Sequence, residues 1–329
     1  MKNQLITTLP NIFYLSGFSG SFAYLLIQGK KKILYTDSRY EIQAKNEVKG
    51  CRVKIFDTQA AMFADIALLI KSRGRAVLEV EDKISLREYQ VLKKILKVKI
   101  ITADRWIEER RMIKTKREIA IMRAGAKKLA KVARRLKVVR GMRESDLVME
   151  ISKRARRLGM GSPAFEAIVA SGKRGALPHG LASEKKFRPG DMVVVDFGFY
   201  YKGYATDMTR TYFVGQPSKK QIEVYAAVAA AQDVAIHMIR DNMPAVQVDK
   251  VARDLLNRAG FKKYFRHALG HGVGVSVHEK PRVSPDSKDI LRAGMVVTVE
   301  PGIYIEGWGG VRIEDMVLVK ERGFEVLTR

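Results

Sequence analysis

Cysteine is nearly absent from this chain: Cys51 is the single thiol in 329 residues. One cysteine excludes an internal disulfide framework and fits a reducing compartment, so a cytoplasmic protein is expected. Long apolar runs are lacking as well. The opening "MKNQLITTLP" has no apolar stretch of the kind a secretory signal carries. No segment approaches the roughly 20 apolar residues of a membrane helix, and none is of low complexity. Acidic residues are scarce beside basic ones, 35 against 61, which gives a formal net charge of +26. The excess is spread along the chain rather than held in a tail. Its densest part, residues 119–143, holds nine basic residues and no acidic one, and "KRARR" follows at 153–157. Such a surface could attract nucleic acid, acidic partners or anionic lipid. A solvated helix face is the favoured reading and nucleic-acid binding the lesser one, because charge patterning alone specifies no partner.

What is present suffices for a large core, since 47% of the residues are hydrophobic. The length suggests two domains. Residues 1–112 alternate strand and helix patterns. "FAYLLIQ" and "KKILYTD" read as a hairpin joined at Gly29 and Lys30; "CRVKIFD", "RAVLEV" and "VKIITA" read as further strands. Helical stretches fall near residues 38–47, 59–72 and 85–96, so an α/β domain is expected, with a charged helical linker from residue 104.

Residues 113–329 repeat one order of elements. A helix from Thr115 carries the apolar positions Met122, Leu129, Val132, Leu136 and Val139 and is predicted to end near Gly141. A second helix starts at Glu144 or Ser145 and stops at Gly159. The strand "AFEAIVAS", a loop containing "ALPHG" and a hairpin, "VVVDFGFYYKGYATDMTRTYFV", follow. The order then recurs: helices near residues 218–240 and 246–259, a glycine- and histidine-rich strand "HALGHGVGVSVHE", and a hairpin over residues 294–319. Two copies of helix, helix, strand, hairpin predict an α+β domain with a pseudo-twofold repeat, although the copies share little sequence.

The hairpins pose a physical problem. Asp196 and Asp207 lie nearly equidistant from the first turn. If that turn centres between Tyr201 and Lys202, they face each other with Cβ atoms roughly 5 Å apart. Glu300 and Glu314 flank Gly307 of the second hairpin in the same way. Four acids converging in a core cannot all stay ionised alone: they protonate, pair with arginines, or hold metal ions. Histidine decides among these. Of only five in the chain, His267, His271 and His278 fall in the glycine-rich segment before the second hairpin, whereas His237 sits in a helix outside any motif. Four carboxylates and an imidazole can hold two divalent ions about 3.5–4 Å apart with an activated water between them.

"VVDFGFYYKGYATDMTRT", "HALGHGVGVSVHEKP", "TVEPGIYI" and "VRIED" resemble the successive metal-site motifs of the pita-bread metallopeptidases, a group that includes methionine aminopeptidases, aminopeptidase P and prolidase. "NIFYLSGFSGSFAYLLI" and "YTDSRY" resemble the creatinase-type N-terminal domain of the proline-specific members. The resemblance covers essentially the whole chain. It implies that Asp196 chelates one metal, that Asp207 and Glu314 bridge both, and that His271 and Glu300 complete the second. Glu300 would be the general base. His179 and His278 would orient the scissile carbonyl and stabilise its oxyanion, with His267 as a further pocket residue. Arg312 would contact substrate or steady the neighbouring carboxylates. Arg39 would recognise the substrate from the N-terminal domain of the same or a partner subunit of a homodimer. Oxygen-rich ligation suits Mn²⁺, with Co²⁺, Zn²⁺ or Fe²⁺ as alternatives.

"ALPHG" and "VRIED" point towards proline-specific members. The expected activity is hydrolysis of the Xaa-Pro bond in dipeptides or short peptides, a dipeptidase being slightly favoured over an aminopeptidase. An aminopeptidase of other specificity remains open. So does a non-catalytic scaffold of the same fold that binds nucleic acid or protein through its basic surface, though such scaffolds lose metal ligands and all five are present here. Creatine hydrolysis is disfavoured because that family lacks the acidic ligand set.

Overall fold

The computed structural model describes residues 3–71, 77–96, 98–103 and 106–329, in two compact units, Met1–Arg111 and Met112–Arg329. Ser72, Arg75, Ala76, Asp104 and Arg105, at the ends of three predicted stretches, lie outside the described residues.

A six-stranded mixed sheet organises the first unit, in the order Arg52–Ile55, Lys31–Thr36, Tyr24–Gln28, Asn3–Ile6, Val77–Glu81, Lys99–Ala103. The hairpin is paired as predicted, Gln28 opposite Lys31 across Gly29 and Lys30. The strand Asn3–Ile6 and the helix Leu9–Ser16 were not predicted. "NQLI" is too short to show a period, yet it occupies a central position, antiparallel to Tyr24–Gln28 and parallel to Val77–Glu81. Tertiary pairing there overrides weak local signal. Leu5, Leu26, Tyr35, Phe63 and Val80 form the core on one face, with Ile6, Leu25 and Leu34 on the other.

The second unit repeats helix, helix, strand and hairpin. Helices Lys116–Arg134 and Glu144–Arg157 belong to the first copy, Lys219–Met238 and Ala245–Arg258 to the second. The leading helix of each copy opens on a capping box. Thr115 Oγ1 accepts from the Glu118 N–H at 3.3 Å while Glu118 reaches back to the Thr115 N–H at 2.8 Å, and Ser218 and Gln221 exchange the same bonds at 3.3 and 2.8 Å. Each helix pair buries its apolar stripe on its own sheet. Leu129, Leu147 and Ile151 pack on Val193, Val195 and Phe197, and Val224, Val228 and Leu256 pack with Val297, Val299 and Val317. The first sheet is ordered Met208–Phe213, Met192–Phe197, Ile168–Ser171. The second is ordered Glu279–Val283, Gly270–Gly272, Val296–Val299, Asp315–Val319, Phe324–Val326.

Three expectations are corrected. The first helix stops at Arg134 rather than Gly141. Leu136 remains buried beyond the helix end while Val139 is 48% exposed, so apolar spacing continued past the helical backbone. The segment "HALGHGVGVSVHE" is not one strand: only Gly270–Gly272 pairs there, a bulge follows His271, and Glu279–Val283 is the next strand. Third, the first hairpin turns at Lys202 and Gly203, both left-handed with φ of 49° and 82°. That suits the two-residue primed turn matched to strand twist. Asp196 therefore pairs with Thr209, not with Asp207. The two aspartates are diagonal neighbours on one face of the ladder, which lessens the repulsion that direct opposition would bring.

Candidate metal centre and active site

The two hairpins meet edge to edge. Glu314 N–H donates to Thr209 O at 3.1 Å, and Thr211 Oγ1 donates to Arg312 O at 2.9 Å. In the second hairpin Val299 pairs with Asp315 and Gly302 with Arg312, so Glu300 and Glu314 sit at one level between those pairs. They are held by other strands: the Glu300 N–H donates to Leu269 O at 2.8 Å. Gly270 and Gly272 let the strand carrying His271 enter a space closed to larger residues. A Cβ on Gly270 would stand 2.0 Å from Thr298 O, and one on Gly272 2.1 Å from Lys280 O.

Asp196, Asp207, His271, Glu300 and Glu314 consequently line one cavity of about 320 Å³ together with His179, His267, His278 and Arg312. Phe165, Ile168, Pro178 and Leu181 add an apolar wall. Arg39 belongs to the first unit, where its fork grips Asp37 at 2.7 and 3.0 Å. His237 is exposed on its helix beside Asp233.

Asp196, Asp207 and Glu314 are buried, at 9%, 4% and 2% exposed, while Glu300 is half-buried. Burial, reinforced by the charge of Asp196, holds Asp207 well above the ordinary carboxylate range, and burial with the charges of Asp207 and Glu300 does the same to Glu314. Asp196 is also raised by burial, against the opposing pull of Arg312. Glu300 differs: burial pushes it up, but the hydrogen bond and charge of His271 outweigh that and bring it down to about 2. Burial would lower His271, and Glu300 in turn lifts it to about 9. His271 Nε2 stands 3.3 Å from Glu300 Oε1 and 3.7 Å from Asp207 Oδ2. Its Nδ1 carries a proton, since it stands 3.1 Å from the carbonyl of Gly272, which can only accept. Nε2 is thus the atom aimed at the carboxylates, where a proton and a cation would compete for it.

Around this set lies a layer that the sequence reading missed. Thr209 Oγ1 donates to Glu314 at 2.7 Å and accepts from Arg312 Nε at 3.1 Å. Thr298 Oγ1 lies 3.3 Å from Glu300 Oε1 and accepts from the His271 N–H at 3.1 Å. A signal existed: each threonine is two residues from an acid on its strand, hence on the same face. Arg312, 3% exposed, donates to Asp196 Oδ2 at 2.6 Å, to Tyr304 Oη at 2.7 Å and to Pro178 O at 3.0 Å. His267 Nδ1 faces Ala268 O at 2.8 Å and so carries the proton. Its Nε2 then accepts from Tyr304 Oη at 3.1 Å.

Two buried oxygens, Asp196 Oδ1 and Asp207 Oδ1, have no hydrogen-bond partner among the described residues. Orphaned buried carboxylate oxygens are costly, and their position beside Glu314 and His271 fits cation ligands. Ligand atoms of Asp207, His271 and Glu314 lie within 4.8 Å of one another. Oxygen-rich donors with one imidazole suit divalent ions, so the residues present fit a metal centre.

Comparison with known proteins agrees. Residues 2–113 match the creatinase/prolidase N-terminal domain, and residues 120–321 match metallopeptidase family M24. An Xaa-Pro dipeptidase of Pyrococcus horikoshii is 37% identical over 99% of this chain and 92% of its own. The solved structure of an Xaa-Pro dipeptidase from Bacillus anthracis is similar with a TM-score of 0.94 at 36% identity, covering 100% of this chain and 93% of that one. That of an X-Pro aminopeptidase from Thermotoga maritima is similar with a TM-score of 0.90 at 33% identity, covering 100% and 96%. Together with a cavity in which four carboxylates and an imidazole converge, these matches place the chain in metallopeptidase family M24.

Proposed function

We propose that this metallopeptidase hydrolyses the Xaa-Pro bond of dipeptides. The observation that carries the reading is the convergence of Asp196, Asp207, His271, Glu300 and Glu314, with two orphaned oxygens, in a cavity of about 320 Å³. Similarity to the Xaa-Pro dipeptidases of Pyrococcus horikoshii and Bacillus anthracis supports the substrate class. Asp196 would serve one metal, Asp207 and Glu314 both, and His271 and Glu300 the other. Two divalent ions so held supply a water acidified to near neutral pH and a Lewis acid for the scissile carbonyl.

The chain's own residues do the rest. Glu300, held by its N–H bond to Leu269 O at 2.8 Å with Thr298 Oγ1 at 3.3 Å from its carboxylate, is the carboxylate placed to take the proton of the attacking water. His278, lowered from its ordinary value chiefly by burial, lines the same cavity and can donate an N–H to the developing oxyanion. His179 lines the same cavity. Arg312 is occupied by Asp196, Thr209, Tyr304 and Pro178, which favours steadying the carboxylates over touching substrate. Tyr304 and Ala268 fix the ring of His267 at the cavity wall. The apolar side made by Phe165, Ile168, Pro178 and Leu181 can accept a pyrrolidine ring. A tertiary Xaa-Pro amide has no N–H to be read, so recognition must come from such shape. The donor set suits Mn²⁺, with Co²⁺, Zn²⁺ or Fe²⁺ as alternatives. A homodimer, with Arg39 reaching a substrate carboxylate, is the assembly that the family resemblance supports.

A second reading, an Xaa-Pro aminopeptidase, is favoured by the similarity to the Thermotoga maritima protein. Turnover of Xaa-Pro beside Xaa-Pro-Yaa, after loading with each candidate metal, separates the two. Preference for the dipeptide is expected. Cleavage of the tripeptide alone selects the aminopeptidase, and a loaded enzyme that cuts neither removes the proline specificity.

A further inference from the structure

His179 lines the cavity and is exposed, and its ring makes no hydrogen bond among the described residues. Nothing bonded to the imidazole fixes its place, so the backbone of its loop must. That loop leaves the strand Ile168–Ser171, makes a single 3₁₀ turn at Gly172–Ala176, and returns beside the start of the helix Glu144–Arg157.

Both ends of the loop are gathered on one side chain. Glu144 is wholly buried, and its Oε1 accepts from Ser171 N at 2.8 Å and Ser171 Oγ at 2.7 Å. Its Oε2 accepts from Ser183 N at 3.0 Å, from Ser183 Oγ at 2.6 Å, and from Arg174 Nη1. Two N–H groups, two hydroxyls and one guanidinium thus satisfy a carboxylate that would otherwise be expensive to bury. The other nitrogen of Arg174 donates to Leu181 O at 2.7 Å, two residues beyond His179. Pro178 O, immediately before His179, accepts from Arg312 Nη1 at 3.0 Å. The loop also meets the second hairpin at contact distance, because a Cβ on Gly310 would stand 2.0 Å from Gly175 O. Glu144 is the point at which departing strand, turn and returning chain are tied together.

We propose that Glu144 is the positioning residue of the reaction: by closing the loop from Ser171 to Ser183 it sets where His179 stands against the substrate. The proposal rests on the reading of His179 as a substrate-facing group. Glutamine at position 144 keeps the size but turns an NH₂ group towards donors, so one end of the loop is released. A displacement of about 1 Å at a group facing the substrate can cost about 10² in rate.

A double-mutant cycle tests this. The variants are Glu144→Gln, His179→Ala and the two together, each loaded with metal and assayed for kcat and KM on an Xaa-Pro dipeptide, with metal content and Tm recorded. Glu144→Gln is expected to lower kcat/KM by about 10²-fold with metal content retained, and to have almost no further effect once His179 is absent. A merely structural Glu144 would instead lower activity by the same factor in both backgrounds, and that additivity overturns the proposal. An unchanged kcat/KM in Glu144→Gln overturns it as well. If His179→Ala alone is fully active, the substrate-facing reading of His179 fails first and the proposal falls with it. Should Glu144→Gln not fold, Ser183→Ala removes one tie, keeps the backbone donor, and enters the same cycle with a smaller expected loss of about tenfold.

Discussion

Replacing Arg312 by methionine removes the one guanidinium that satisfies Asp196, Tyr304 Oη and Pro178 O together, at 2.6, 2.7 and 3.0 Å. The group is only 3% exposed, so water cannot take over its bonds. Breaking a buried ion pair by deleting one partner costs about 3–5 kcal/mol, because the other charge is left uncompensated. At about 2–4 °C per kcal/mol for a unit of this size, Tm should fall by about 6–20 °C. Asp196 can avoid part of the cost by taking a proton, since burial already holds it above its ordinary value. The loss should therefore be smaller near pH 5 than near pH 8, and smaller in metal-loaded than in stripped protein. Lysine at the same position keeps the charge without the fork and should fall between wild type and methionine. Calorimetric unfolding of the three proteins at both pH values measures this. A methionine variant within about 1 kcal/mol of wild type at pH 8 would refute the reasoning, for Arg312 would then not be what compensates the buried charge of Asp196.

Three further outcomes are expected. Removing His278 should lower turnover by about 10²–10³ with metals retained, as for loss of one oxyanion donor; metal loss in that variant would instead make His278 a ligand. Stripping the metals should leave a protein whose stability falls as pH rises. Burial lifts Asp207 and Glu314 above 3.8 and 4.5, so the contribution of each is complete below those values and is lost as pH climbs through the raised ones. Glu300, lowered to about 2, runs the opposite way but is already fully ionised above about pH 5. The Tm gap between loaded and stripped protein should widen upward from about pH 5, and a constant or narrowing gap contradicts the assignment. Finally, neutralising the exposed Lys127, Lys131, Arg134 and Lys137 should leave dipeptide turnover nearly unchanged, and any nucleic-acid binding should weaken steeply between about 50 and 200 mM salt; sequence-selective RNA binding at physiological salt, lost in that variant, would give the basic surface a function of its own.

The basic helix also shows where sequence stops short. An apolar stripe turns its cationic heads outward, and Lys127 and Lys131 are indeed exposed. Lys128, however, donates to Leu158 O at 2.5 Å, and Arg123 grips Glu325 at 2.6 and 2.8 Å. The doubled order of helix, helix, strand and hairpin was legible because capping residues, periodicity and turn glycines lie close together in sequence. Glu300 and Glu314 flank Gly307 as their spacing says. The first hairpin slipped because Lys202 takes a left-handed conformation that a lysine does not advertise, which moves the turn centre and sets Asp196 opposite Thr209. The sequence marks Glu144 only as a helix start. Its five donors come from residues 27 to 39 positions away, and no local pattern encodes that closure. The tie between Asp249 and the segment before His271 escaped for the same reason. Asp249 holds Arg253, whose guanidinium donates to Phe265 O and His267 O at 3.0 Å each.

The paired carboxylates of the two hairpins are explained here as ligands for two divalent cations. The most direct test counts the ions. Metal-free protein is titrated with Mn²⁺ and analysed for bound metal per chain and dipeptide turnover, beside the Asp207→Asn variant. Two ions per chain are expected in the wild type, and one or none in the variant, with hydrolysis abolished, because Asp207 would serve both sites. Two ions per chain with full activity in Asp207→Asn would contradict that assignment.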